Sequence, residues 1–129
     1  MDSEIQYIKY EAGNPHFRGK TIIEIKEDRT VIVSFKQNNH SKRYSNKIDK
    51  RDQKRLFEKI ETVDPCSFSS QKEFVEPDDI EVCLTVKYPQ KKCKLKFWGS
   101  ERFEFKSLNE LVNSLNKLAS ETSDGAITY

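Results

Sequence analysis

The stretch Ile80-Glu81-Val82-Cys83-Leu84-Thr85-Val86-Lys87-Tyr88-Pro89-Gln90-Lys91-Lys92-Cys93-Lys94-Leu95-Lys96-Phe97-Trp98 decides the fold. Val82, Leu84, Val86 and Tyr88 alternate with polar residues, and Cys93, Leu95 and Phe97 do so again beyond Pro89-Gln90. This period of two predicts two strands, Ile80 to Tyr88 and Cys93 to Trp98, joined as a hairpin with one apolar face. Such a face needs a cover. The cover follows in the chain: Leu108, Leu111, Val112, Leu115, Leu118 and Ala119 repeat at helical spacing, and Ser107 with Glu110 has the spacing of a capping box.

Working toward the N-terminus, Asp49 is placed to cap a second amphipathic helix over Lys50 to Val63. Leu56, Phe57, Ile60 and Val63 form its stripe, and Pro65 stops it. Before it, Ile5, Tyr7, Ile8 and Tyr10 favour a strand over Glu4 to Tyr10, and a second strand is predicted over Thr21 to Lys26. The polar turn Glu27-Asp28-Arg29-Thr30 joins that strand to a third one carrying Val31, Val33 and Phe35. Lys36 to Arg43 reads as polar connection, Cys66 to Asp79 as a long loop, and Arg102 to Phe105 as a short optional strand. The expected order is β-β-β-α-β-β-(β)-α, an α+β antiparallel sheet of about five to six strands with two helices packed on one face. Residues 1–120 make a single domain in this reading, and 121–129 a fraying tail.

Composition agrees with one folded domain. The 129 residues are 35% hydrophobic and 34% charged, and Lys+Arg exceeds Asp+Glu by only 23 to 21. Leu, Ile, Val and Phe make up roughly a quarter of the chain, above the ~20% at which a chain cannot bury enough to fold. No apolar run reaches the ~18 residues of a membrane span, and Met1-Asp2-Ser3-Glu4-Ile5 lacks the basic and apolar parts of a secretory signal. A cytoplasmic protein that does not engage a membrane is expected.

Cys66, Cys83 and Cys93 form no CxxC unit, and His16 and His40 are the only histidines, so no zinc site is predicted and the thiols are expected to be reduced. Cys83 and Cys93 flank the hairpin turn, but alternation puts their sulfurs on opposite faces of the sheet.

Catalytic chemistry finds little support. A nucleophile needs a base and a group to orient it, and both histidines lie in polar stretches without a motif around them. Glycine-rich phosphate loops and H-E-x-x-H are absent from the sequence. Glu76-Pro77-Asp78-Asp79 and Glu81 offer carboxylates, but not at the spacing of a cation loop, and a solvated acidic turn explains them. No catalytic residue, metal or cofactor is expected.

Charge is more informative when mapped along the chain. Lys36, Lys42, Arg43, Lys47, Lys50, Arg51, Lys54, Arg55 and Lys59 outnumber Asp49, Asp52 and Glu58 between positions 36 and 59. The hairpin adds Lys87, Lys91, Lys92, Lys94 and Lys96, and alternation turns Lys94, Lys96 and Trp98 away from the core. With Arg51, Lys54 and Arg55 these make a candidate basic face for nucleic acid or an acidic partner. The plainer function of such lysines is to keep an exposed sheet edge soluble.

The second candidate site is the glycine-bounded loop Gly13-Asn14-Pro15-His16-Phe17-Arg18-Gly19. Pro15 stiffens it, Phe17 adds an aromatic, and Arg18 adds a charged donor, a combination suited to anchoring a partner at low entropic cost. A structural turn with Phe17 against the sheet is the alternative.

The layout resembles the emfourin family, small bacterial inhibitors of thermolysin-like metalloproteases such as protealysin. The likeness runs over most of residues 4–119. It comprises the opening Ile5-Gln6-Tyr7-Ile8-Lys9-Tyr10, the Gly13–Gly19 loop, the strand and turn from Ile23 to Val31, and the helix bearing Leu56-Phe57. It continues through Pro77-Asp78-Asp79 leading into Val82-Cys83-Leu84-Thr85-Val86, and ends in the Leu-rich terminal helix. Family loops here are typically a glycine pair, an aromatic, a small residue and glycine, whereas this chain has Asn14-Pro15-His16-Phe17-Arg18 between its glycines. The resemblance implies a non-enzymatic protein that binds another protein, a metalloprotease in the first instance, through the 13–19 segment.

Overall fold

Tyr7 pairs with Lys26 on one side and Lys87 on the other, so the first strand joins the N-terminal strands to the later hairpin. The computed structural model describes residues 5–14, 17–37, 40–66, 81–98 and 105–122. The elements are β1 (Tyr7–Asn14), β2 (Phe17–Lys26), β3 (Thr30–Gln37), β4 (His40–Lys47), α1 (Lys50–Val63), β5 (Glu81–Lys87), β6 (Lys92–Trp98) and α2 (Lys106–Thr122). The six strands form one sheet in the order β4-β3-β2-β1-β5-β6, every neighbouring pair antiparallel.

Alternation sorts the strands into two faces. Ile8, Tyr10, Ile23, Ile25, Val31, Val33, Val82, Leu84, Val86, Leu95 and Phe97 are buried on one of them. They join Leu56, Phe57, Ile60 and Val63 of α1 and Leu108, Leu111, Val112, Leu115 and Ala119 of α2 in a single core. Both helices therefore cover the same side of the sheet, as the pattern predicts. Lys59 Nζ donates to Ser114 Oγ at 2.6 Å and ties the helices together. Gln53 Nε2 donates to the carbonyls of Lys26 (2.9 Å) and Glu27 (3.2 Å), pinning α1 to the β2–β3 turn.

Helix α1 has the expected bounds but not the expected cap: the Asp49 side chain makes no capping hydrogen bond, and its carbonyl accepts from Gln53 N–H at 3.0 Å. At the other end Asp64 turns left-handed (φ 59°) and its N–H donates to Ile60 and Glu61 carbonyls, closing the helix before Pro65. Helix α2 begins at Lys106, so Ser107 lies inside its first turn and not at its cap, and the helix runs on through Ser120 to Thr122. The tail 123–129 lies outside the described residues.

Three further expectations are corrected. His40–Lys47 is an edge strand and not a polar connection; its only large apolar side chain is Tyr44, and it is held by backbone pairing with β3. Strands β1 and β2 extend to Asn14 and begin at Phe17, so most of the expected 13–19 loop is the end of a hairpin. Finally, Cys66 and Cys93 are disulfide-bonded, and only Cys83 is free. The face argument against Cys83–Cys93 holds, since Cys83 is opposite Lys96 and Cys93 is opposite Val86 on the core side. The partner comes from beyond α1, at the turn where Cys66 approaches β6. The optional strand at 102–104 and the segment 67–80, with its acidic residues, lie outside the described residues, and Phe105 precedes α2 without being in a strand.

Candidate functional site

The side of the sheet away from the helices follows from register alone. One row across it holds Lys26, Tyr7, Lys87 and Lys92; the next holds Ser45, Ile32, Glu24, Lys9, Thr85 and Lys94. A third holds Arg43, Ser34, Ile22, Glu11, Cys83 and Lys96, and a fourth Ser41, Lys36, Lys20, Gly13, Glu81 and Trp98. Lys47, opposite Thr30, completes it. The face thus carries nine lysines and one arginine against Glu11, Glu24 and Glu81. Ile22 and Ile32 are buried in its middle, outside the main core.

Two of the three acids are already engaged. Glu11 accepts Lys9 Nζ at 3.0 Å and Lys20 Nζ at 2.5 Å. Burial opposes ionisation of Glu11, but hydrogen bonds and charge from Lys20 and Lys9 outweigh it and hold the carboxyl below its ordinary range. Hydrogen bonding to Glu11 and its charge likewise raise the Lys9 ammonium. Burial, together with the charge of Glu24 and a hydrogen bond to it, pushes the Tyr7 hydroxyl up to about 12, so Tyr7 stays neutral at physiological pH.

Lys87, Lys92, Lys94 and Lys96 are exposed and take no ion pair among the described residues. Lys87 stands directly opposite Lys92, and Lys20 opposite Lys36. Like charges facing each other across strands are destabilising. Tyr7, Lys9, Thr85, Lys87, Lys92 and Lys94, with Glu11, line a shallow depression over β1, β5 and β6.

No protein-family model matches the chain, and no curated protein matches it.

The expected basic face is divided by the fold. Lys94, Lys96 and Trp98 lie on the open sheet side, as alternation predicts. Arg51, Lys54 and Arg55 lie on α1, across the sheet, with Arg55 and Lys59 beside Asp52 and Glu121 in the groove between the helices. The 36–59 basic run is split in the same way: Lys36, Arg43 and Lys47 belong to the open face, the rest to the helix side. Lys9, Lys20, Lys26, Lys87 and Lys92 complete the face, and strand parity in the early hairpin would have revealed the first three.

The other candidate segment is now the end of the β1–β2 hairpin. Gly13 and Asn14 end β1; Phe17, Arg18 and Gly19 begin β2; Pro15 and His16 lie outside the described residues. The register slips between Gly13 and Asn14. A Cβ at Gly13 would sit 2.9 Å from the Gly19 carbonyl oxygen, so the close approach of the two strands requires glycine there. At Gly19 an added Cβ would meet only Phe35 Cζ at 3.9 Å, ordinary contact.

Among the described residues no group of three or more His, Cys, Asp or Glu side chains is placed to hold a metal ion, and no helix is long and apolar enough to cross a membrane.

Proposed function

We propose that this protein is a non-enzymatic binding domain that takes a polyanionic partner on the open face of its sheet. One observation carries the reading: the uncovered face holds nine lysines and one arginine against three glutamates, and Lys87 faces Lys92 across neighbouring strands. That arrangement costs stability in the free protein and is relieved by an anion laid over it. Edge protection accounts for lysines on β6, but not for Lys26 and Lys87 on the interior strands β2 and β5.

The test compares two triple charge reversals of equal net charge on an immobilised polyanion such as heparin. Lys92→Glu/Lys94→Glu/Lys96→Glu should elute at much lower salt than Arg51→Glu/Lys54→Glu/Arg55→Glu, which should behave close to wild type after allowance for bulk charge. Equal losses from the two variants would refute the face assignment.

A second reading follows the emfourin resemblance: protease inhibition through the hairpin end at Gly13–Gly19. The feature that favours it is the close approach of Gly13 to the Gly19 carbonyl, which holds the two central strands together at the base of this segment. Phe17→Ala/Arg18→Ala should then weaken inhibition of a thermolysin-like metalloprotease without loss of fold. Unchanged inhibition would remove those residues from the site. For either reading, the Cys66–Cys93 bridge favours an oxidising compartment over the reducing cytoplasm.

A further inference from the structure

We propose that the polyanion taken by this face is single-stranded nucleic acid, laid across β1, β5 and β6 with phosphates on the lysines and a base against Tyr7. The inference rests on the open-face reading and names its partner. Three features carry it.

The first is the kind of cation. Apart from Arg43 on β4, the basic residues of the face are lysines. Protein–protein interfaces are depleted in lysine and enriched in arginine, and an exposed lysine paired with a carboxylate contributes little. Phosphate chains are different. Neutralising them releases condensed counterions, a gain that needs no bidentate geometry and suits flexible ammonium groups.

The second is spacing. Lys92, Lys94 and Lys96 occupy alternate positions of one strand, about 6.8 Å apart for an extended backbone. Lys87 lies beside Lys92 in the neighbouring strand, and Lys9 lies one strand beyond Thr85 from Lys94. The cations form a continuous track across the depression and not a single point.

The third is Tyr7. It shares a row with Lys87 and Lys92 and lines the same depression. The ring is half-buried, with Glu24 diagonal to it on the adjacent strand β2. A half-buried aromatic ring next to a basic track is what an unpaired base stacks on. The face offers no helix or ribbon, among the described residues, to enter a groove of a duplex. Single strands are therefore preferred over duplex.

The test is fluorescence anisotropy with a labelled thymidylate oligomer of about 12 nucleotides, the matched duplex, and heparin, polyglutamate and anionic vesicles as competitors. The oligomer should bind more tightly than the duplex, with log affinity falling against log salt at a slope of about −2 to −3, the release expected for three or four phosphates. Tyr7→Leu should weaken oligomer binding about tenfold while leaving heparin retention unchanged, and Tyr7→Phe should bind as wild type. Duplex binding as tight as single strand, or Tyr7→Leu without effect, overturns the inference. If heparin, polyglutamate or vesicles bind through Lys94 and Lys96 and the oligomer does not, the open-face reading stands and nucleic acid is excluded. If none of these ligands binds, both fall.

Discussion

Cys66 is bonded to Cys93 across 27 residues of sequence, with their Cα atoms 5.0 Å apart. The bond fastens the turn after α1 to β6 on the core side of the sheet. Closing a loop of this length restricts the unfolded chain and stabilises the fold by about 3.5 kcal/mol on the loop-entropy account. Cys93→Ser should lower stability by an amount of that order in urea unfolding, and reductant should do the same to wild type. A melt insensitive to reductant would show that the bridge does not form in solution.

Leu111 is 1% exposed, at the centre of the α2 stripe and in contact with the shared core. Leu111→Asp removes that packing and buries a carboxylate without a partner, a change worth more than ~4 kcal/mol and enough to unfold a domain of ordinary stability. Loss of the cooperative thermal transition is expected. A melt near wild type would show that α2 is not docked as described.

Tyr7 gives a signature at high pH. Its folded value of about 12 lies above its ordinary value of 10.0. A group raised in this way adds stability that is complete below its unfolded value and disappears as pH climbs toward the folded one. Stability should therefore decline between about pH 10 and pH 12, and Tyr7→Phe should decline less steeply there. Tyrosinate absorbance should lose a late-titrating component in the variant. Superimposable titrations would place Tyr7 in an ordinary, solvated setting.

Glu11 acts in the opposite direction at low pH. Its folded carboxyl is held below the ordinary value of 4.5, so its contribution is present above that value and is lost as pH falls further. The Lys9 share is present below 10.5 and is lost as pH rises beyond it. Glu11→Gln should cost up to ~1 kcal/mol at neutral pH, with the difference closing in acid. It should also tighten polyanion binding, because the face loses an anion and Lys9 and Lys20 are released. Weaker binding of the variant would place the ligand elsewhere.

Much of the architecture is legible in the sequence wherever apolar periodicity is strong. The α1 stripe, the second hairpin and the α2 stripe are read directly from Leu, Ile, Val and Phe spacing, and the bounds of α1 from Asp49 and Pro65. Strand β4 is not, because His40–Lys47 buries no aliphatic side chain and is held by its backbone. Nor is the Cys66–Cys93 bond, since the approach of Cys66 depends on how α1 docks and on the left-handed turn at Asp64. For the site, alternation within β6 suffices to turn Lys94, Lys96 and Trp98 outward. Joining them to Lys9 and Lys20 requires the pairing of β1 with β5, a contact between strands far apart in sequence. Arg51, Lys54 and Arg55 group with them only while the chain is read linearly; the helix carries them to the other side.

The most direct test of the open-face account is residue-resolved: amide and lysine side-chain NMR shifts followed while a heparin oligosaccharide is titrated into the folded protein. The account predicts that the largest changes fall at Lys9, Lys87, Lys92, Lys94 and Lys96, with Arg51, Lys54 and Arg55 unmoved. Changes concentrated on α1, or confined to the hairpin end from Gly13 to Gly19, would contradict it.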